Sequence, residues 1–368
     1  MTDTPIVMAS DFSIDLLKWV GQALIQAHRK YPKDRNTHES IRYADIVTAF
    51  DIETSTYEDP EEGPQGFMYI WQWQLGEIAT VFGRTWDEFL SVVDQINAWL
   101  KDRNQRMMVY VHNLAYEFQY LCAIWHFDPE DVFATDLRAP LYCKMDRLEL
   151  RCSYRLSGQS LRGWAKDLRV DHQKLDDFNY TEMRYPWSPM TNEEYRYCFH
   201  DVLSVVECVQ RTMQVYGDTL YTIPYTRTGY IRRMVRSSMR WWSDAAIKGM
   251  QNDLATYDRL RNAFRGGDTH ANRYWVKSLI GDVYSYDRSS SYPDVIVHCK
   301  FPMSRFREEE ATWERFKSLC EEGRAVLVKI GFFRNQAGGQ RNRKSVHPLC
   351  KVLRTWIHST NRRGSGQR

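Results

Sequence analysis

Apolar residues recur along the chain with two different periods. Residues 11–30 (DFSIDLLKWVGQALIQAHRK) space them as an amphipathic helix would, and YPKDRN ends that run. From 41, IRYADIVTAFDIET is dominated by β-branched and aromatic side chains and predicts a strand. FMYIWQWQL (67–75) and EIATVF (77–82) flank Gly76 as a hairpin would, and 86–101 again has helical spacing. MMVYVHN (107–113) predicts a buried strand, and AYEFQYLCAIWHF (115–127) a helix ended by Pro129. Thr191 and Glu194 form a T-x-x-E capping box, so a long helix begins near 192. Strands and helices alternate, the mark of an α/β domain. The turn-rich stretch 216–229 (YGDTLYTIPYTRTG) is the best sequence candidate for a domain boundary.

Length and composition narrow the class. A chain of 368 residues exceeds the usual single-domain size, and 43% hydrophobic with 14% aromatic residues excludes wholesale disorder. No apolar run approaches the roughly 20 residues that span a bilayer, and no basic segment followed by an apolar one opens the chain, so neither a membrane nor a secreted protein is expected. The eight cysteines form no CxxC pair and are expected to be reduced and structural. The net charge of +3 hides an asymmetry: residues 334–368 hold 9 Lys+Arg and no acid, while the rest carries 41 Lys+Arg against 47 Asp+Glu.

The candidate chemistry lies in carboxylates. Asp51 and Glu53 are two apart at the end of the apolar strand, so both point to one face and repel unless a hard cation such as Mg²⁺ or Mn²⁺ neutralises them. Taken alone, D-x-E also opens many surface loops. Tyr197 and Asp201 lie four apart on the capped helix, a phenol able to orient water above a carboxylate able to hold metal. Arg232, Arg236 and Arg240 recur every fourth residue, a basic stripe suited to phosphates or an ordinary solvated helix face.

DIET (51–54), HNLAYEF (112–118) and YCFHD (197–201), in that order, resemble the three exonuclease motifs of family B DNA polymerases, most of all the protein-primed viral branch. The resemblance extends through AKDL (165–168), FRGG (264–267) and DRSSSYP (287–293), roughly residues 41–333. It implies an α/β, ribonuclease-H-like 3′–5′ exonuclease domain over 41–215, after a helical segment 1–40. A linker and incomplete polymerase palm over 216–333 and a basic tail over 334–368 follow. Asp51, Glu53 and Asp201 would bind two Mg²⁺ or Mn²⁺ ions, Tyr197 would position the water, and Lys174 would lie near the scissile phosphate. Thr54, Asn113 and Tyr116 would hold the single-stranded 3′ end of DNA. Glu117 stands where the family has aspartate, one methylene longer, which shifts its oxygens by about an ångström. In the second half Asp287 would bind metal, Tyr292 would sit beneath the incoming nucleotide, and Gly266 and Gly267 would let the backbone approach DNA.

The family's D-T-D and K-x-x-x-N-S-x-Y-G patterns do not occur, and no aspartate follows Asp294. A truncated polymerase, competent for exonuclease action but not for synthesis, is therefore the expectation. The viral branch further implies primer–template DNA and a terminal protein as partners, and action in the host cytoplasm. Two alternatives stay open: a free-standing DnaQ-like exonuclease on RNA or DNA, and a non-catalytic DNA-binding fragment. The tail is either a basic arm for nucleic acid or an out-of-frame translation, since VHPLCK read one base later allows C-I-P-Y-A-K; both make it disordered.

Overall fold

The strand expected after residue 41 becomes the middle of an eight-stranded mixed sheet. The computed structural model describes residues 4–24, 42–136, 139–175, 182–264, 273–309 and 312–328. The chain divides into two units, Met1–Ser238 and Met239–Arg368. In the first, the strands are β1 (Ile6–Met8), β2 (Thr48–Asp59), β3 (Gly63–Leu75), β4 (Ala79–Gly83), β5 (Met107–Val111), β6 (Val132–Ala134), β7 (Pro140–Met145) and β8 (Leu148–Cys152). Their order is β1-β4-β3-β2-β5-β8-β7-β6, with β2, β5 and β8 parallel and β3 antiparallel to β2.

Alternation along β2 sorts its side chains. Phe50 and Ile52 enter the core beneath α1 (Trp86–Asp102), whereas Val47 and Ala49 pack with Val202, Val205 and Val206 of α5 (Asn192–Tyr216) on the other face. β2 pairs with β5 only at Thr48 and Ala49. Beyond that point β2 and β3 continue as a two-stranded ribbon, past the carboxyl ends of the parallel strands, where α/β sheets place their sites. From β5 the chain turns through Asn113, whose φ is 76°, into α2 (Leu114–Ile124). The expected hairpin about Gly76 forms with β3 and β4 as its arms; Gly76 takes a φ of +54°, which favours glycine.

Three expectations are corrected. Within 11–24 the chain forms 3-10 turns at Ala9–Asp11 and Ile14–Leu17 and then runs without helix; the rest of the predicted leading helix lies outside the described residues. Phe12, Leu17 and Val20 still reach the core from these turns, so the apolar spacing is met without a continuous helix, while Trp19 and Leu24 remain exposed. The hairpin β7–β8 went unread, although LYCKM and LELRC alternate around an Asp146 turn with φ 58°. The boundary expected in 216–229 instead falls after Ser238.

A buried polar cluster accounts for that last shift. Glu149 accepts from Tyr43 Oη at 2.8 Å, from Arg151 Nε at 2.8 Å and from Tyr225 Oη at 3.2 Å. Tyr225 also stacks on Tyr142, and Leu220 and Ile223 are buried, so the turn-rich segment is fastened to the sheet. α6 (Arg227–Ser238) follows, tied back by an Arg233–Asp218 ion pair of 2.6 Å.

The described residues of the second unit form α7 (Asp244–Met250), α8 (Leu254–Ala263), α9 (Ser291–His298) and α10 (Trp313–Glu321), and no strand or buried residue is found among them. Residues 281–287 (GDVYSYD), rich in β-branched and aromatic side chains, form no strand, since an extended segment without a pairing neighbour gains no ladder. Residues 334–368 and Gly266 and Gly267 lie outside the described residues. Among those described, seven cysteines are free and no helix is long and apolar enough to cross a membrane.

Removing one member of the buried pair leaves an uncompensated charge, which costs about 3–5 kcal/mol. Glu149→Ala is therefore expected to lower the unfolding free energy by that amount in denaturant titrations. Glu149→Leu combined with Arg151→Met, which removes both charges, should recover much of the loss.

Candidate metal centre

Asp51 and Glu53 follow Ala49 on the α5 face of β2, as their spacing requires. α5 begins at the predicted cap: Thr191 Oγ1 accepts from Glu194 N at 3.2 Å and Glu194 Oε2 accepts from Thr191 N at 2.7 Å. One turn apart on that helix, Tyr197 and Asp201 are both buried. Oxygens of Asp51, Glu53 and Asp201 come within 4.8 Å of one another, the one such acidic trio among the described residues. The donor set is all oxygen, and Asp201 Oδ1 is buried without a hydrogen-bond partner. Both features fit a hard divalent cation.

The site's fields agree with that fit. Burial, then the charge of Asp201, pushes Asp51 up to about 7. Burial and Asp51 raise Glu53 well above the carboxylate range. Asp201 is raised by burial, with Lys174 opposing, its Nζ donating to Asp201 Oδ2 at 2.8 Å. The same ammonium lies 5.3 Å from the Tyr197 ring centroid. Lys174 is held there by its two preceding residues, both bonded to α5. Ser204 Oγ donates to the His172 carbonyl at 2.8 Å, the His172 N–H donates to Glu207 at 2.9 Å, and His200 Nδ1 donates to the Gln173 carbonyl at 3.1 Å.

Glu117 is 3% exposed and hydrogen-bonds Asp51. Burial and the Asp51 charge raise it above the carboxylate range. It thus stands behind the trio rather than within it. A β-bulge between Glu53 and Thr54 re-aims the strand, and Thr54 Oγ1 meets Tyr116 Oη at 2.5 Å. Asn113 and Tyr116 are exposed at the start of α2, beside the ribbon. Lys174, Glu117, Thr54 and Tyr116 are therefore brought to the three carboxylates or to their strand.

Sequence reasoning missed three neighbours. Gln72 faces Asp51 across the ribbon and donates to its Oδ2 at 2.9 Å, a contact visible only once the register is known. Tyr120 reaches Tyr116 at 3.4 Å, and Gly66 leaves it room, since a Cβ there would stand 2.5 Å from its hydroxyl. His112, within the quoted HNLAYEF, bonds Ser153 Oγ at 3.1 Å and is held down to about 4 by burial, then by Lys174.

Among the remaining candidates, Arg232 and Arg236 are exposed on α6 and Arg240 lies beyond its end. Asp287 and Tyr292 are exposed in the second unit. Asp287 belongs to no acidic trio among the described residues, and Asp294 is engaged by Arg288 at 2.6 Å and His298 at 3.0 Å.

The model of a family described as DNA polymerase type B, organellar and viral, matches residues 177–359. That span includes Tyr197 and Asp201; Asp51, Glu53 and Lys174 precede it. No curated protein matches. Among solved structures the chain is similar to phi29 DNA polymerase complexed with single-stranded DNA (TM-score 0.48, 16% identity, 63% of this chain and 41% of that one). It is also similar to the ternary complex of that polymerase with primer-template DNA and incoming nucleotide substrates (TM-score 0.47, 16% identity, 63% and 41%). The chain therefore spans about two fifths of the polymerase it is compared with.

Carboxyls raised in the folded state hold protons there that the unfolded chain releases above about pH 4. Their contribution to stability is present at low pH and is lost as pH rises through about 7, the value for Asp51. In EDTA the melting temperature should fall across that window, and Mg²⁺ or Mn²⁺ should raise it more above pH 7 than near pH 5. Asp51→Asn should flatten the profile; a wild-type melt independent of pH between those limits would contradict the assignment.

Proposed function

From the premise that residues 177–359 belong to the organellar and viral type B DNA polymerases, we propose that the first unit is a ribonuclease-H-like 3′–5′ exonuclease acting on single-stranded DNA ends. One observation carries this reading: Asp51, Glu53 and Asp201 converge within 4.8 Å, with Lys174 bonded to Asp201 and Tyr197 one turn before it. Two divalent ions, Mg²⁺ or Mn²⁺, held by Asp51, Glu53 and Asp201 would supply charge neutralisation and an acidified water.

The residues of this chain provide the rest. Tyr197 orients the water so that its oxygen lies in line with the terminal phosphodiester. The new P–O bond forms as the P–O3′ bond breaks; the water's proton passes to solvent, and O3′ takes up a proton from solvent to leave as the hydroxyl of the shortened strand. Lys174 adds positive charge beside Asp201, where negative charge grows on the phosphate. Gln72 fixes Asp51, and Thr54, Asn113 and Tyr116 grip the unpaired end by polar contact and stacking. The reading extends to primer–template DNA and a terminal protein as partners, and to the host cytoplasm, on the strength of the viral branch that the motifs resemble. The reading rests on the first unit alone, since Asp287 belongs to no such trio among the described residues.

A second reading, single-stranded DNA binding without cleavage, is favoured by the Glu117–Asp51 hydrogen bond, which ties up a metal ligand. Cleavage of 3′-labelled single strands separates the two. Asp51→Ala/Glu53→Ala and metal chelation are each expected to abolish mononucleotide release, by at least about a thousandfold, and Lys174→Ala to lower it about 10²–10³-fold. Glu117→Asp should retain cleavage. Undiminished nuclease activity in the double variant would overturn the assignment; no cleavage by wild type with either metal would leave the binding reading.

A further inference from the structure

The ribbon carries a second feature that the metal centre does not use. Phe67 on β3 stacks on Tyr185 (5.4 Å between centroids, 15° between planes), and Tyr185 stacks on Trp187 (5.0 Å, 6°). Tyr57 on β2 tilts against Phe67 from the other side at 6.0 Å. The column is rooted in the core, because Phe67 packs against the cluster that contains Tyr197. It then rises into solvent: Tyr185 is 36% exposed and Trp187 79% exposed.

The backbone beneath the outer rings is fixed. Arg84 Nη2 donates to the carbonyls of Tyr185 at 2.8 Å and Ser188 at 3.0 Å, and Tyr185 N donates to Ser188 Oγ at 2.9 Å. Arg184 N donates to Ser55 Oγ at 3.0 Å, and its guanidinium pairs with Glu194 at 2.6 Å. A tryptophan held this firmly, with one face covered by a parallel ring and the other open, gains little from core packing. What it presents is a flat aromatic face at stacking orientation.

We infer that the Phe67–Tyr185–Trp187 column is a base-stacking platform for single-stranded nucleic acid. The outermost ring, Trp187, offers a flat π face the size of a nucleobase, and a nucleobase has the matching face. Bases within a duplex are already stacked on one another, so an unpaired strand is the occupant. Its direction rests on the nuclease reading: Ser55, which anchors Arg184, lies two residues from Glu53, about 7 Å along the strand. A strand whose 3′ end occupies the metal centre would lay an upstream base on Trp187.

Binding of a fluorescent oligothymidylate of about 12 nucleotides to the full chain in EDTA, read by anisotropy, tests this. Trp187→Ala should weaken binding about 5- to 150-fold, Trp187→Phe should stay within about threefold of wild type, and duplex of the same length should not compete. Metal-dependent release of nitrophenol from thymidine 5′-p-nitrophenyl phosphate, which is too small to reach the column, should be unchanged in both variants. Equal binding by wild type and Trp187→Ala, equally weak binding by both variants, or no binding by wild type would overturn the platform. Loss of oligonucleotide binding in Trp187→Ala alongside a wild type that releases no nitrophenol would support the platform while removing the nuclease reading.

Discussion

Three carboxylates share a space less than 5 Å across, and in a buried setting like charges so close cannot all remain ionised without a cation. The surrounding structure is organised around that repulsion. β2 can deliver Asp51 and Glu53 to one face only because Phe50 and Ile52 occupy the other, beneath α1. A slip of one residue would drive both acids into the apolar core and expose the phenyl ring. The register against β3 forbids it, and the same register sets Gln72 opposite Asp51. Core packing and the site are thus one constraint seen from two faces of a strand.

The lysine shows how the helix extends that control. Lys174 belongs to a connecting segment, which would ordinarily place its ammonium loosely. His172 and Gln173 are instead bonded to Ser204, Glu207 and His200, all on α5. The helix that supplies Tyr197 and Asp201 therefore also sets the position of the cation between them. The capping box at Thr191 fixes where the helix starts, and so the whole set shares one reference.

Much of this could be read before any coordinates. Period two put Asp51 and Glu53 together, helical spacing put Tyr197 above Asp201, and T-x-x-E located the first turn of α5. What escaped depends on contacts between residues far apart in the chain. Gln72 is unremarkable until it is paired with Asp51. The segment 216–229 has every sign of a linker, yet Tyr225 reaches Glu149, 76 positions away, and closes the cluster with Tyr43 and Arg151. The opposite error occurred at 11–24, where Phe12, Leu17 and Val20 are buried at helical spacing but from 3-10 turns and irregular chain rather than from a helix. In the second unit, DRSSSYP was legible as a motif, but its fold was not, since Asp287 and Tyr292 are exposed and the described residues of that unit form no strand.

Glu117 shows why residue type at a site has to be weighed with reach. A shorter acid at this position of α2 would end farther from Asp51. Glu117 spans that gap to hydrogen-bond Asp51, and Lys174 pairs with Asp201 at 2.8 Å. Cation binding and protonation then become competing ways of meeting the same electrostatic demand. The acid that stands where the resembled motif has aspartate thus meets Asp51, and the carboxylates that could share a metal ion are Asp51, Glu53 and Asp201.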